Sequence, residues 1–445
     1  MNKKPCAAIY TLGCRTNQYE SNAIAEKLVG LGFNICDFSE QADVYIINTC
    51  SVTAEADRKS RQMIRRGKKL NPEATVIVTG CFSQLEPRVA AELGADFVCG
   101  NRNKLDAADY ALKAINKKTK KEIKVPDIDS MPIESMLASQ AGKTRAFIKI
   151  EDGCDNRCAY CIIRTARGGV VSREPEDITR EAKKMVAGGV REIVITGTEI
   201  ASYGRDSGKY TLADAIAAVG ESGAERIRIG SVEPSVINAE FVEKIAAVPA
   251  FLPSFHLSLQ SGSDRILAAM RRKYNSAGVL KSVELIRAAY PDAEFSADII
   301  VGFPGEGEDD FECTMRLAES IGLYHIHIFP YSDRRGTEAT KMGGKISAQV
   351  KNDRFDRLDA LSEKLAEARY GEYIKNGKSL DVLFEEKSGE YYVGHAQNML
   401  EVKVKSEEDL TGRIFSCVPR EYLGDCALCE PGRETDGERI KNERA

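Results

Sequence analysis

The sequence predicts a multidomain α/β protein: a parallel α/β domain, a central partial (βα)6 barrel, and a small all-β barrel at the C-terminal end. Three observations carry this. Strand and helix patterns alternate through the first 100 residues, six further strand–helix units follow from 144 onward, and short alternating runs separated by turn signals begin after Gly377.

In order, residues 6–12 read as a buried strand. Asn17 is placed to N-cap the next helix, with Glu20 three residues on completing a capping box. Ile24, Leu28 and Leu31 share that helix's apolar face ahead of Gly32. Strands at 43–48, 74–79 and 95–99, with a helix over 53–70, complete a first domain set at 1–105. Residues 106–143, with the Lys-rich run KKTKKEIK, read as a linker. Strands near 145–150, 191–196, 225–230, 254–259, 294–301 and 324–329 then build an open barrel. A charged helix over 347–370 follows, striped by Val350, Phe355, Leu358, Leu361 and Leu365, and ends a domain spanning 144–375. The all-β unit takes 376–432, and 433–445 reads as a polar tail.

The chain has 445 residues, a formal net charge of −4 and 43% hydrophobic residues, which excludes a disordered chain, a collagen-like chain and a uniformly basic nucleic-acid coat. A local basic face fits within that balance. Thirteen Cys at irregular spacing do not form a secreted disulfide pattern; clustered thiols in a chain this long point to metal or redox chemistry. Lys3 and Lys4 ahead of a short apolar run ending at Cys14 mimic a lipoprotein signal, but a buried strand suits that run better. No apolar stretch reaches the roughly 18–20 residues of a membrane span. The expected location is the reducing cytosol, with no membrane partner.

The segment EDGCDNRCAYCIIR holds Cys154, Cys158 and Cys161 in a loop after the first barrel strand. Three thiolates so spaced can hold one face of an iron–sulfur cube and leave one iron for a small molecule. A structural zinc site would want a fourth ligand nearby, and the nearest His is His256. Cys14, Cys50 and Cys81 look scattered, yet each follows a strand of the first domain. In a parallel sheet those turns share the carboxyl edge where ligands bind. The three could converge on a second cluster, with Gly13 and Gly80 allowing close approach, or be ordinary core thiols.

The Cys154-x3-Cys158-x2-Cys161 spacing resembles the radical S-adenosylmethionine (SAM) superfamily. That resemblance implies SAM bound to the open iron and cleaved to a hydrogen-abstracting 5′-deoxyadenosyl radical. It further implies Tyr160 near the adenine, and a SAM pocket drawn from strand ends carrying Thr196, Gly197, Glu199, Ser231, Glu233, Gln260 and Asp298. The motifs GCRTNQYES, NTCSV and GC around Cys14, Cys50 and Cys81 are similar to the methylthiotransferase branch, whose N-terminal thiols hold an auxiliary 4Fe–4S cluster and whose C-terminal TRAM domain contacts substrate. Two 4Fe–4S clusters and SAM are therefore the implied cofactors, with an electron donor and a sulfur source as further partners. TLGC, NQYE and Ser231-Val232-Glu233-Pro234 resemble the members acting on tRNA N6-threonylcarbamoyladenosine, although Arg15 and Thr16 depart from their usual Lys-Val. The same chemistry on isopentenyl-adenosine tRNA or on a ribosomal-protein aspartate is the neighbouring reading, and a nonenzymatic iron–sulfur redox sensor that binds RNA is the reading from another class.

Between 58 and 69 lie seven basic residues and no acid. Arg58, Arg61, Arg65 and Lys69 share a helix face suited to RNA phosphates, or simply to solvent. His325 and His327 share a face of the last barrel strand and read as pocket lining or packing. Cys426-x2-Cys429 reads as packing within a strand.

Overall fold

The computed structural model describes residues 4–116 and 121–435; part of the Lys-rich run and the tail beyond 435 lie outside the described residues. The first domain is a six-stranded parallel sheet of β1 (Cys6–Thr11), β2 (Asn34–Cys36), β3 (Val44–Thr49), β4 (Thr75–Gly80), β5 (Phe97–Cys99) and β6 (Glu122–Lys124), in the order β2-β1-β3-β4-β5-β6. β3 reads VYIINT and is buried at every position, as a central strand covered on both faces must be. Its alternate residues enter two cores, Val44 and Ile46 on one side with Ile24 and Leu28 of α1 (Arg15–Gly30), Tyr45 and Ile47 on the other with Met63 and Ile64 of α2 (Ala54–Leu70). The Thr53 side chain caps α2 by accepting from Ala56 N.

Two expectations need correction. Residues 106–124 are not a linker: the helix Asp106–Ile115 buries Ala107, Ala108 and Ala111 against the sheet, and β6 extends it. β6 and β2 have three residues each, mostly exposed, so no buried run marks them, whereas the equally short β5 is buried throughout. Asn17 is not an N-cap. α1 begins earlier, at Arg15, and the Asn17 amide donates to the carbonyls of Leu12 (2.7 Å) and Thr49 (3.0 Å), while Glu20 is fully buried. The first turns of α1 face protein rather than water, so their polar side chains bind neighbouring elements. Cys6 and Cys36 form a disulfide between β1 and β2.

The six expected barrel strands are all present: Arg145–Lys149, Glu192–Thr196, Arg226–Ile229, Ser254–Gln260, Glu294–Val301 and His325–Pro330. They pair in parallel as two three-stranded sheets, joined by single bridges at Ile227↔Phe251 and Val232↔Leu257. The helix Ala348–Asn376 runs past the last strand into the C-terminal unit, where Tyr370 and Tyr373 enter its core. That unit is a closed five-stranded barrel. The third barrel strand clamps it: Arg226 donates to the carbonyls of Asp381 and His395 (both 3.0 Å), and Arg228 to those of Gln397 and Ala396 (3.0 and 2.6 Å). No helix among the described residues is long and apolar enough to cross a membrane.

Candidate active site

Register brings the first three thiols together. Thr11 pairs with Asn48, and Asn48 with Thr79, so three strands end side by side. Cys14, Cys50 and Cys81 lie two or three residues beyond that row. A Cβ at Gly13 would stand 2.6 Å from Cys50 Sγ. Gly80 has φ +101°, and a Cβ there would meet the Thr49 carbonyl at 2.3 Å, so only glycine permits this entry to Cys81. Burial, and then Cys81 and Cys14, push the Cys50 thiol up to about 12. Such a thiol ionises readily only where a cation or metal compensates it.

Cations stand behind this triad. Lys104, Lys149 and Arg167 are buried around Glu20 and Asp152. Glu20 contacts all three, with Lys149 at 2.9 Å and Arg167 at 3.1 Å, and Asp152 takes Arg167 at 2.8 Å and Lys149 at 3.3 Å. Asn17 and Asn48 fill remaining donors of Lys104 (3.1 and 3.0 Å), and Asn17 also accepts from Arg167 at 2.7 Å. Burial would raise the Glu20 pKa, but Arg167, Lys104 and Lys149 together lower it to about 2. Three cations against two carboxylates leave positive charge toward the thiols: Cys81 and Cys14 act on Arg167, and Cys81 on Lys104. An anionic thiolate cluster fits that surplus.

The second triad is held by the loop that follows the first barrel strand. Cys154 is buried, and Cys158 and Cys161 are half-buried. Arg272 donates to Cys158 Sγ at 3.1 Å and Ile163 N to Cys161 Sγ at 3.4 Å, bonds that favour thiolate sulfur. Burial pushes the Cys161 thiol up to about 12. Arg272 also pairs with Glu233 (2.9 Å) and lies 5.0 Å over the Tyr274 ring. Tyr160 lies in the same group, its phenol raised by burial against the lowering effect of Arg272, with Cys158 and Cys161 adding to the rise. Glu199 is raised to about 7 by burial and Glu233, and its Oε1 is buried without a hydrogen-bond partner among the described residues, as are Glu151 Oε2 and Asn156 Oδ1. Glu199 and Asn156 lie beside the second triad, and the α-ammonium of an amino acid is a donor that their oxygens can accept. The donor set and these orphans fit a 4Fe–4S cluster with bound SAM.

The expected pocket residues divide into groups. Thr196, Gly197, Ser231 and Asp298 line a cavity of ≈1030 Å³ together with Cys14, all four histidines, and Tyr422 and Asp425 of the C-terminal barrel. Tyr160, Glu199 and Glu233 gather instead at the second triad. Gln260 is buried at the end of its strand with φ +63° and is not on the cavity wall. Short contacts join the two triads: Thr16 Oγ1 donates to Gly197 O (2.8 Å), and Thr198 Oγ1 accepts from Gly153 N (3.2 Å). Asp298 meets His256 Nε2 at 3.0 Å, while burial, and then His325 and His256, lower the His327 pKa to about 4. Cys426 and Cys429 are buried in the C-terminal barrel.

On α2, Arg58 and Arg61 pair with Glu55 (2.5 Å) and Asp57 (2.7 Å), and Arg61 also covers the Phe82 ring at 4.7 Å. Arg65 and Lys69 are exposed with no carboxylate within 4.0 Å among the described residues. The motif analysis missed Arg272, Glu151, Asn156 and the Lys104–Lys149–Arg167 cluster. Glu151 and Asn156 stand within the quoted segment around Cys154, beside the thiols that drew the reading, whereas Lys104, Arg167 and Arg272 reach the site from other parts of the chain that no spacing rule marks.

A partial barrel with three thiols on its first loop and a pocket at its strand ends defines a radical SAM enzyme. Residues 148–318 match the radical SAM superfamily, and residues 7–100 match a family described as uncharacterized protein family UPF0004. The threonylcarbamoyladenosine tRNA methylthiotransferase MtaB of Bacillus subtilis is 36% identical over 417 residues, 92% of each chain. Its namesake from Thermotoga maritima is 38% identical over 399 residues, covering 87% of this chain and 90% of the relative. The solved radical SAM methyltransferase TsrM from Kitasatospora setae superposes with a TM-score of 0.55 over 73% of each chain at 13% identity, a likeness of fold alone. This chain belongs to the methylthiotransferase family of radical SAM enzymes.

Proposed function

We propose that this protein adds a methylthio group at C2 of N6-threonylcarbamoyladenosine beside the anticodon of tRNA, in the cytoplasm. The observation that carries this reading is two thiol triads linked by short contacts at the edge of one large cavity. The curated relatives named above act on that nucleoside.

Cys154, Cys158 and Cys161 would hold the cluster that binds SAM, and Cys14, Cys50 and Cys81 a second cluster carrying the sulfur. When bound, the first cluster supplies an electron to SAM, and SAM supplies the radical that takes a hydrogen. The chain's own residues position and insulate. Arg272 stabilises negative charge at Cys158 and fixes Glu233. Glu199 and Asn156 would offer acceptors for the SAM ammonium, with Glu233 holding Asn156 and Arg272 in place. Thr196, Gly197, Ser231 and Asp298 shape the wall that a flipped adenine would meet. The C-terminal barrel, TRAM-like in its resemblance, closes the cavity and limits entry of water. Arg65 and Lys69 on α2 would meet RNA phosphates, with Arg58 and Arg61 engaged once they leave their helix carboxylates. An electron donor and a sulfur source complete the cycle.

The test is mass spectrometry of tRNA nucleosides from cells with and without the gene. Loss of 2-methylthio-N6-threonylcarbamoyladenosine with accumulation of its unthiolated precursor is expected. Loss of the isopentenyl counterpart instead would move the substrate to that branch. In vitro, Cys154→Ala should abolish 5′-deoxyadenosine formation, whereas Cys50→Ala should keep it and lose sulfur transfer.

A further inference from the structure

We propose that Arg15 selects the substrate by pairing with the carboxylate of the threonylcarbamoyl group. This rests on the function proposed above and concerns the same cavity. An isopentenyl group offers only hydrocarbon, whereas a threonylcarbamoyl group ends in a carboxylate. A site for the latter needs a cation inside the cavity.

Arg15 has the features of such a cation. It follows Cys14 directly and lines the cavity. Protein surrounds it, yet its side chain is open to the cavity space. Its guanidinium lies 5.7 Å over the Phe147 ring, and no carboxylate lies within 4.0 Å of it among the described residues.

The cations around it are satisfied. Arg145 pairs with Glu385 at 3.0 Å. Arg226 and Arg228 share Glu192 at 2.8 and 2.9 Å, and against the effect of burial Arg228, Arg226 and Arg145 hold Glu192 down to about 2. The Glu192 oxygens accept from Arg226 and Arg228 and make no ion pair with Arg15. The other basic groups of the cavity do not compete. Asp298 engages His256, Glu385 engages His395 at 2.6 Å, and burial lowers the pKa of His325 and brings that of His327 down to about 4. The planar fork of Arg fits a carboxylate with two parallel hydrogen bonds. A cavity of ≈1030 Å³ has room for a nucleoside with this arm.

The experiment uses reconstituted, anaerobic enzyme and an anticodon stem-loop RNA carrying either threonylcarbamoyladenosine or its carboxyl methyl ester. Binding is read by fluorescence anisotropy without reductant, and methylthiolation by single-turnover mass spectrometry. The wild type should favour the acid over the ester by on the order of 10–100-fold, the strength of a charge-assisted hydrogen-bond pair. Arg15→Gln should bring that ratio close to one, and Arg15→Lys should restore part of it. Iron content checks that each variant assembles. If Arg15→Gln does not assemble, the wild-type ratio and the Arg15→Lys ratio decide. A wild type indifferent to esterification, or an Arg15→Gln enzyme that keeps the full ratio, overturns the assignment. Equal weakening toward acid and ester would mean that Arg15 grips a phosphate, which also overturns it. Acid-selective binding with no methylthiolation would defeat the proposed reaction and leave the role of Arg15 standing.

Discussion

Glu20→Gln tests whether the buried ion cluster holds the first domain to the barrel. Glu20 is fully buried and contacts Lys104 of its own domain and Lys149 and Arg167 of the next. Its pKa falls from 4.5 to about 2 on folding. At about 1.4 kcal/mol per pH unit, the carboxylate contributes about 3 kcal/mol at neutral pH. Breaking a buried pair on one side costs a similar amount, about 3–5 kcal/mol. The folded pKa is depressed, so this contribution is complete above about pH 4.5 and is lost as pH falls toward 2. It should be constant between pH 6 and 8, where iron–sulfur proteins are handled. Two-state unfolding is not expected of a multidomain chain, so the assay is local amide exchange read by mass spectrometry. Peptides covering Arg15–Gly30 should exchange on the order of 100-fold faster in the variant, and peptides covering Leu380–Ser388 should not change. An acceleration of the α1 peptides below about threefold would refute the assignment of α1's anchorage to this carboxylate.

Three further outcomes are expected. Gly80→Ala places a Cβ 2.3 Å from the Thr49 carbonyl at φ +101°, costs about 1–3 kcal/mol, and should lower iron content while leaving the second triad's share. Arg272→Met strips Cys158 and Glu233 of their shared cation, and should slow 5′-deoxyadenosine formation at least about tenfold without altering RNA affinity. Arg65→Ala and Lys69→Ala should each reduce the slope of log affinity against log salt by about 0.7–0.9, read by titrations at several salt concentrations; an unchanged slope would place RNA elsewhere.

What the sequence made legible was local chemistry and period. Cys154, Cys158 and Cys161 stand within one loop, so their joint role can be read from spacing. Cys14, Cys50 and Cys81 could be joined only because each follows a recognisable strand. Their convergence then follows from register, Thr11 beside Asn48 beside Thr79. The six barrel strands stood out because each is a run rich in apolar residues, four to eight long, set between helical patterns. β2, β6 and the helix Asp106–Ile115 did not, because the two strands are short and mostly exposed and the helix is rich in Ala, whose burial leaves little pattern. Glu20 shows the limit most clearly. Three residues after Asn17, it matches a capping box in sequence, yet the helix starts earlier and the side chain turns inward to cations from elsewhere in the chain.

That inward turn bears on how the two triads cooperate. A sulfur source and a radical source must meet one adenine, so their separation has to be fixed before the RNA arrives. Surface contacts between two domains would leave hinge motion as the default. Here Arg167 belongs to the barrel, pairs with Glu20 of the first domain and Asp152 beside Cys154, and stands in the field of Cys14 and Cys81. One side chain thus touches the support of both triads. Loading a negatively charged cluster on the first triad would draw on the same surplus charge that locks the domains. Cluster loss should therefore loosen the interface, and interface damage should loosen the cluster. Exchange at the α1 peptides measured with and without iron tests this coupling directly: faster exchange in the iron-free protein is expected, and identical exchange would mean that the ion cluster and the thiols act independently.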